Sequence, residues 1–571
     1  MGKVVLDNKF WLMVLAPIVG AFFAPEVHGV QESLWHVLKV AFYSFLVFYV
    51  YYFLLGFLKF PRFVRGAQNF MLGFSLILAF IDLFASHYCQ MAFTPSLVGT
   101  ILSTNLKEST EFFESVGKPH LGFVGLYWGV CMAFLYFVRL QVALTPPQSL
   151  KTFGVLFGIF WAHNIGAFYV KGWHGKLINP NIAMHTIPVV KEIYAFGATL
   201  TEYKQTKTIY TSLKQPLVKD YLSVDTDSVP NVVLIVGESA SRDFMGVYGY
   251  PVQNTPFLSG LIREREREKT ISLTLRRSLT QPNLFVFDDV ISPFANTYAV
   301  FQVLLNYSDR ENAKIPWYQQ KNLGSVFKAA DYSTFWLDAQ DDLENNPSFS
   351  LWSYPFNKRY WSNGPTDVPN ASLDEWLIKA FNERAKSQLT SKNFLLFHLF
   401  GSHYTYASRF PKDFAKFTPK DIPYQGLHVK NEKDKQVVAD YVNSLYYTDH
   451  VLNEIFKLFQ GRDAIIFYLS DHAQDIFQSS NTYGHRCSKY GVEIPFMVYV
   501  TDTFKQKHPD EVKLIAKAVH KPFMSDDLIH TLLPIVGIHT KDNLESKNLF
   551  SPKFDTHRKR VYCGRQEYKT P

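Results

Sequence analysis

Residues 231–239 read NVVLIVGES and residues 464–472 read AIIFYLSDH. Each begins as an unbroken apolar run rich in β-branched residues, the pattern of a buried strand. Each run then stops abruptly at groups that bind cations: Glu238 after the first, Asp471 and His472 after the second. In open α/β sheets, sites gather outside the carboxyl ends of strands. Carboxylates and an imidazole brought together there supply oxygen and nitrogen ligands for a divalent ion. A lone acid after a strand can equally cap a helix. An adjacent Asp-His pair is harder to explain that way.

Outward from these runs, short apolar segments alternate with helical patterns from residue 229 to the end, which predicts an α/β domain built on a central mixed β-sheet. The clearest strands are expected at residues 231–236, 284–290, 334–337, 393–399, 464–469 and 494–500.

Toward the N-terminus the composition changes. Residues 10–24, 40–58, 70–92, 121–140 and 153–170 are dominated by Phe, Leu, Val and Tyr. Most approach the ~20 residues needed to cross a bilayer core, so a five-helix transmembrane bundle is expected, with its first helix an uncleaved span rather than a signal peptide. Lys3, Lys9, Lys59, Arg62, Arg65, Arg139 and Lys151 cluster on one side, against Lys39, Lys107 and Lys118 on the other. The basic side is cytoplasmic. Five crossings place the chain beyond residue 171 outside. The expected division is a transmembrane domain at 1–171, a connector with interfacial helices at 172–228, and an exported catalytic domain at 229–571.

The net charge of +8 favours an anionic partner, and a membrane surface fits better than nucleic acid, because no Arg-rich stripe interleaved with aromatics occurs in the polar half. Four cysteines are too few for a disulfide framework. Cys89 and Cys131 lie in or beside apolar stretches. Cys487 and Cys563 lie in the domain read as exported and could pair, a question the sequence leaves open. The run REREREK at residues 263–269 is most simply a solvated face.

Four stretches, VGESASRDFMGVYGYPVQNTPFL, FHLFGSHYTYASRFP, YLSDHAQDIF and GHRCSKYGVEIPF, two of them continuing the runs above, resemble in order and spacing the lipopolysaccharide phosphoethanolamine transferases of the alkaline phosphatase/sulfatase superfamily. The resemblance spans about residues 230–500, and the five apolar segments agree with it. It implies a sulfatase-like α/β domain in the periplasm, anchored in a bacterial inner membrane. It also implies a nucleophilic threonine, matched by Thr297 in FANTYA. Local physics supports that position: Thr297 opens an apolar-periodic run, and a hydroxyl at a helix N-terminus meets free N–H groups suited to a phosphoryl group. The plainer alternative is an N-cap threonine.

Because a threonine hydroxyl is a weak nucleophile, metal coordination or a base must activate it. By resemblance Glu238, Asp471 and His472 bind zinc, one or two ions, in contact with Thr297. His398, His403 and His485 then contact the substrate phosphate, a second metal or the leaving oxygen, and Gln340 hydrogen-bonds the phosphoryl group. In a loop at residues 94–119, Thr104 and Glu108 match donor-headgroup positions, while Thr100 stands where the family has Asn. Ala473 replaces a usual Gly. The implied reaction takes phosphoethanolamine from phosphatidylethanolamine through a covalent threonine ester to lipopolysaccharide. VISPFANTYAVFQVLL and STFWLDAQDD look closer to core-heptose-modifying members than to lipid A-modifying ones. Rival readings are a phosphoglycerol transferase of the same superfamily, often using manganese, and an inactive membrane-anchored sensor or assembly protein.

The topology is directly testable: a reporter fused near residue 225 is expected to work only as a periplasmic reporter, and activity of a cytoplasmic reporter there would overturn the span count.

Overall fold

The computed structural model of the chain describes residues 3–24, 30–89, 91–104, 109–110, 112–171, 186–204, 206–263, 282–312, 314–340, 347–362, 373–564 and 566–569. It divides into two compact units, Met1–Leu102 with Phe112–Lys204, and Ser103–Glu111 with Gln205–Pro571. The division falls at Lys204, inside the stretch read as a connector.

The first unit is helical. Its helices α1 (Asn8–Ala21), α2 (Val30–Leu55), α3 (Pro61–Phe84), α4 (Leu121–Phe137) and α5 (Pro146–Lys171) occupy the five apolar stretches, and α6 (Val190–Lys204) comes after them. Asp7 caps α1 by accepting from the Phe10 N–H. Inside, Phe10, Tyr43, Phe48 and Tyr49 are fully buried. Outside, Leu126, Met132 and Phe137 of α4 are 64%, 65% and 75% exposed. An apolar helix that turns such residues outward suits lipid rather than water. Among the described residues, Val30–Leu55, Pro61–Cys89 and Lys118–Phe137 are long and apolar enough to cross a membrane, whereas Asn8–Ala21 is shorter.

The second unit is built on a seven-stranded sheet. In chain order its strands are β1 (Asn231–Gly237), β2 (Leu284–Phe287), β3 (Ser333–Asp338), β4 (Lys358–Trp361), β5 (Asn393–His398), β6 (Ala464–Ser470) and β7 (Phe496–Val500). Across the sheet they run β2-β7-β6-β1-β5-β3-β4. The neighbours from β6 to β4 pair in parallel, and β7 is antiparallel to both β6 and β2, so the sheet is mixed. Val232 through Val236 and Ile465 through Phe467 are fully buried. Burial of each such side chain contributes about 1.5–3 kcal/mol.

One strand expectation changes, and one strand of the sheet was not expected. The run expected at 284–290 breaks after Phe287, and Val290–Ile291 pairs instead with Phe523–Met524. The cause is Asp288-Asp289, two carboxylates that leave the ladder to meet His520 and Arg560. The edge strand β4 reads KRYW and carries no apolar alternation that would announce it.

Candidate functional site

Register assembles the site. Gly237 pairs with Ser470, Val236 with His398, and Asp338 with the same His398, so four parallel strands end level. One step past those pairs come Glu238 and Asp471-His472. Helix α7 (Thr297–Leu304) points its first residue at them. Asn296 is the N-cap, its side chain accepting from the Ala299 N–H, which leaves the Thr297 hydroxyl for other work. Thr297 Oγ1 donates to Glu238 Oε2 at 2.9 Å and stands 3.3 Å from His472 Nε2. His472 Nε2 is 3.2 Å from Glu238 Oε1 and 3.5 Å from Asp471 Oδ2. Glu238, Asp471 and His472 are buried, while Thr297 is half-buried and reachable from outside.

The backbone around these groups is constrained. Ser239 adopts φ 62°, a conformation that costs a non-glycine residue about 1–3 kcal/mol and clusters at functional sites. Its N–H donates to Asp471 Oδ1 and its hydroxyl to Glu238 Oε1. Gly401 has φ 51°, and a Cβ there would lie 2.6 Å from the Glu238 carbonyl oxygen. Only glycine permits that approach.

The electrostatics of the cluster suit a cation. Burial, then the neighbouring Glu238, raises Asp471 to about 7. Burial acts to lower His472, but Asp471 and Glu238 outweigh it and raise the imidazole to about 9. Burial likewise acts to raise Glu238, and the facing His472 outweighs it and holds the carboxyl well below its usual range. A proton on His472 is thus the positive charge that the two carboxylates retain. Asp471 Oδ2 is buried without a hydrogen-bond partner among the described residues. His472 Nδ1 lies 2.9 Å from the Ala473 carbonyl oxygen, to which it donates, so Nε2 is the nitrogen turned to the cluster. An orphan carboxylate oxygen, an oriented imidazole and a hydroxyl fit a divalent ion such as zinc. His485 joins this group, its ligand nitrogen within 4.8 Å of a Glu238 carboxylate oxygen and a His472 ring nitrogen.

A second cluster, Asp309, Asp527 and His530, also meets that spacing. It does not fit a metal. Lys547 lies 2.8 Å from Asp309 and Arg558 2.5 Å from Asp527. His530 Nδ1 accepts from the Leu544 N–H, which puts the proton of the neutral ring on Nε2.

The remaining expected residues are distributed around the first cluster. Gln340 Nε2 lies 3.4 Å from Glu238 Oε2, 3.2 Å from His398 Nε2 and 3.1 Å from the Leu399 carbonyl. His398 is fully buried, with Nδ1 3.0 Å from Asp338 Oδ1. His403 and His485 have ring centroids 5.8 Å apart. Burial lowers His403 to about 4 and His485 well below the usual imidazole value. For His398, burial also acts downward, but Asp338 outweighs it and raises the group. Thr104 is described, whereas Glu108 lies outside the described residues.

Sequence reading missed three supporting groups. Asp338 ends β3 as Glu238 succeeds β1, a signal of the same kind left unused. It orients His398 and accepts from Trp336 Nε1. Buried Asp374 accepts from the Phe400 and Gly401 N–H groups and so holds the turn between His398 and His403. Gln474 donates to the Ser239 hydroxyl. Cys487 and Cys563, whose pairing the sequence leaves open, form a disulfide.

The Sulfatase family model matches residues 230–538. Over 479 residues the chain is 24% identical to a phosphoethanolamine transferase, EptC, of Escherichia coli, covering 81% of this chain and 78% of that one. Its fold matches the integral membrane protein lipooligosaccharide phosphoethanolamine transferase A (EptA) of Neisseria meningitidis at a TM-score of 0.60 and 18% identity, covering 94% and 98% of the two chains. It also matches the periplasmic domain of the Escherichia coli EptC in complex with Zn, at 0.52 and 24% identity, over 61% of this chain and 93% of that one.

A zinc ion held by His472 would compete with that residue's proton for one place. Affinity measured by chelator competition is expected to fall about tenfold per pH unit below 9, and more steeply below 7 as Asp471 also takes a proton. An affinity independent of pH between 6 and 9 would show that zinc is bound elsewhere.

Proposed function

We infer the reaction from one premise, that the chain belongs to the sulfatase family, together with its likeness to phosphoethanolamine transferases along most of its length. It is a metal-dependent transferase that moves phosphoethanolamine from phosphatidylethanolamine to lipopolysaccharide, with a core heptose as the acceptor. The first unit is an inner-membrane bundle of five spans, and the second works in the periplasm. The observation that carries this reading is the Thr297 hydroxyl, released from capping by Asn296 and held 2.9 Å from Glu238 at the mouth of the carboxylate–imidazole cluster.

Glu238, Asp471, His472 and Thr297 Oγ1 would hold a zinc ion, whose chemistry is to lower the pKa of the bound hydroxyl. Thr297 Oγ forms a bond to phosphorus as the bond from phosphorus to the diacylglycerol oxygen breaks. The departing oxygen takes a proton and leaves as diacylglycerol. The N-terminus of α7 and Gln340 orient the phosphoryl oxygens. A sugar hydroxyl then attacks the phosphothreonine ester, gives up its proton, and restores the Thr297 hydroxyl. Dividing the transfer into two displacements lets two bulky lipids use one pocket in turn. His398, positioned by Asp338, and the neutral His403 and His485 serve the substrate phosphate and the departing or incoming oxygen. By resemblance, Thr104 and Glu108 would bind the donor headgroup. The core-heptose preference rests on the resemblance at residues 290–305 and 334–342.

Incubation with phosphatidylethanolamine is expected to add one phosphoethanolamine mass to the peptide containing Thr297. Thr297→Ala should lose that adduct and slow transfer to lipopolysaccharide by ~10³ or more. Near-normal transfer by the alanine variant would refute the covalent route.

A further inference from the structure

Ser239 touches both carboxylates of the cluster, and each of its polar groups is engaged. Its N–H donates to Asp471 Oδ1 at 3.2 Å and its hydroxyl to Glu238 Oε1 at 2.6 Å. The same hydroxyl accepts from Gln474 Nε2 at 2.8 Å. Its carbonyl accepts from the Tyr441 hydroxyl at 2.8 Å, and that hydroxyl in turn accepts from the Ser241 N–H. Tyr441 stands on the helix Glu432–Lys457 and is fully buried, as are Ser239 and Gln474. One tyrosine thus clamps both sides of a turn whose first residue sits at φ 62°, a conformation that persists only where its surroundings impose it.

The carboxylate dictates the direction of the hydrogen bonds behind it. An ionised carboxylate only accepts, so the single Ser239 hydroxyl proton goes to Glu238. The Ser239 oxygen must then receive a donor, which turns the amide nitrogen of Gln474 toward it. The amide oxygen of Gln474 accordingly accepts from the buried Tyr406 hydroxyl, 3.2 Å away. Tyr406, Gln474, Ser239 and Glu238 form a one-way chain in which each group donates to the next. Bonds in such a chain polarise one another where water is excluded. The chain ends on Oε1, while the other carboxylate oxygen, Oε2, faces Thr297 Oγ1.

We propose that Ser239 is a positioning residue of the metal site, and that Tyr406 and Gln474 act through it to hold Glu238 with Oε2 presented to the ion and to Thr297. The inference rests on the reading of Glu238 as a metal ligand. A ligating carboxylate fixed through a hydrogen-bonded partner binds its ion more tightly than one that swings. A merely structural serine would change the stability of the fold alone, whereas a positioning serine changes affinity for the ion in a folded protein.

Zinc affinity of the full chain in detergent, measured by chelator competition without any lipid substrate, tests the proposal. Glu238→Ala locates the ion and is expected to abolish tight binding. Ser239→Ala should weaken binding about 10- to 100-fold. Gln474→Met, close in size but without the donor, should weaken it by less. Because the residues act as one chain, the double variant should bind zinc no more weakly than Ser239→Ala alone. The double variant also removes the Gln474 donor that Ser239→Ala strands, so its affinity against the unaltered chain decides the matter even where Ser239→Ala fails to fold. Unchanged affinity in a folded Ser239→Ala or double variant, or losses that add in the double variant, would overturn the proposal and leave the metal reading standing. Zinc binding indifferent to Glu238→Ala would overturn both.

Discussion

The parallel pairing of β6, β1, β5 and β3 brings every catalytic candidate on those strands to one edge. Gly237 opposite Ser470, and His398 opposite both Val236 and Asp338, set the heights of the side chains just beyond them. Side chains alternate faces along a strand, so a slip of one residue would turn Glu238 away from Asp471 and His472. What prevents the slip is burial. The apolar residues of β1 and β6 are covered on both faces, as expected where a parallel sheet is enclosed by helices. The site's precision is therefore a consequence of core packing several residues away.

That packing also imposes a cost. Glu238, Asp471 and His472 are fully withdrawn from water within hydrogen-bond range of one another, and charges so placed are stable only when paired. Without a metal, a proton on His472 supplies the pairing. A divalent ion supplies it more strongly and also has a place for the half-buried Thr297 hydroxyl. The contrast with Asp309, Asp527 and His530 is instructive: similar ligand types at similar spacing are already neutralised by Lys547 and Arg558. Donor spacing is insufficient by itself. What distinguishes the first cluster is that Glu238 and Asp471 face an imidazole whose other nitrogen is fixed by a carbonyl, where Asp309 and Asp527 face an ammonium and a guanidinium.

Much of this was legible before the fold was known, because the decisive signals are local. A buried strand with an acid directly after it needs only nine residues to be seen, and six of the seven sheet strands announced themselves by apolar runs. The edge strand Lys358–Trp361 did not, since an edge buries too little to require such a run. Nor did the capping of α7: Asn296 and Thr297 are both good N-cap residues, and only the fold decides which one caps. Asp338, Asp374 and the Cys487–Cys563 bond act across 60, 26 and 76 residues of chain, beyond any local pattern. Local chemistry marked the candidate ligands, and long-range packing chose their supports.

The central claim is that Glu238, Asp471, His472 and the Thr297 hydroxyl hold one metal ion. Anomalous diffraction at the zinc absorption edge, from crystals of the zinc-loaded chain, tests it most directly. The account predicts a strong peak within bonding distance of Thr297 Oγ1, Glu238, Asp471 and His472 Nε2. A well-ordered cluster without that peak, or anomalous signal confined to Asp309, Asp527 and His530, would contradict it.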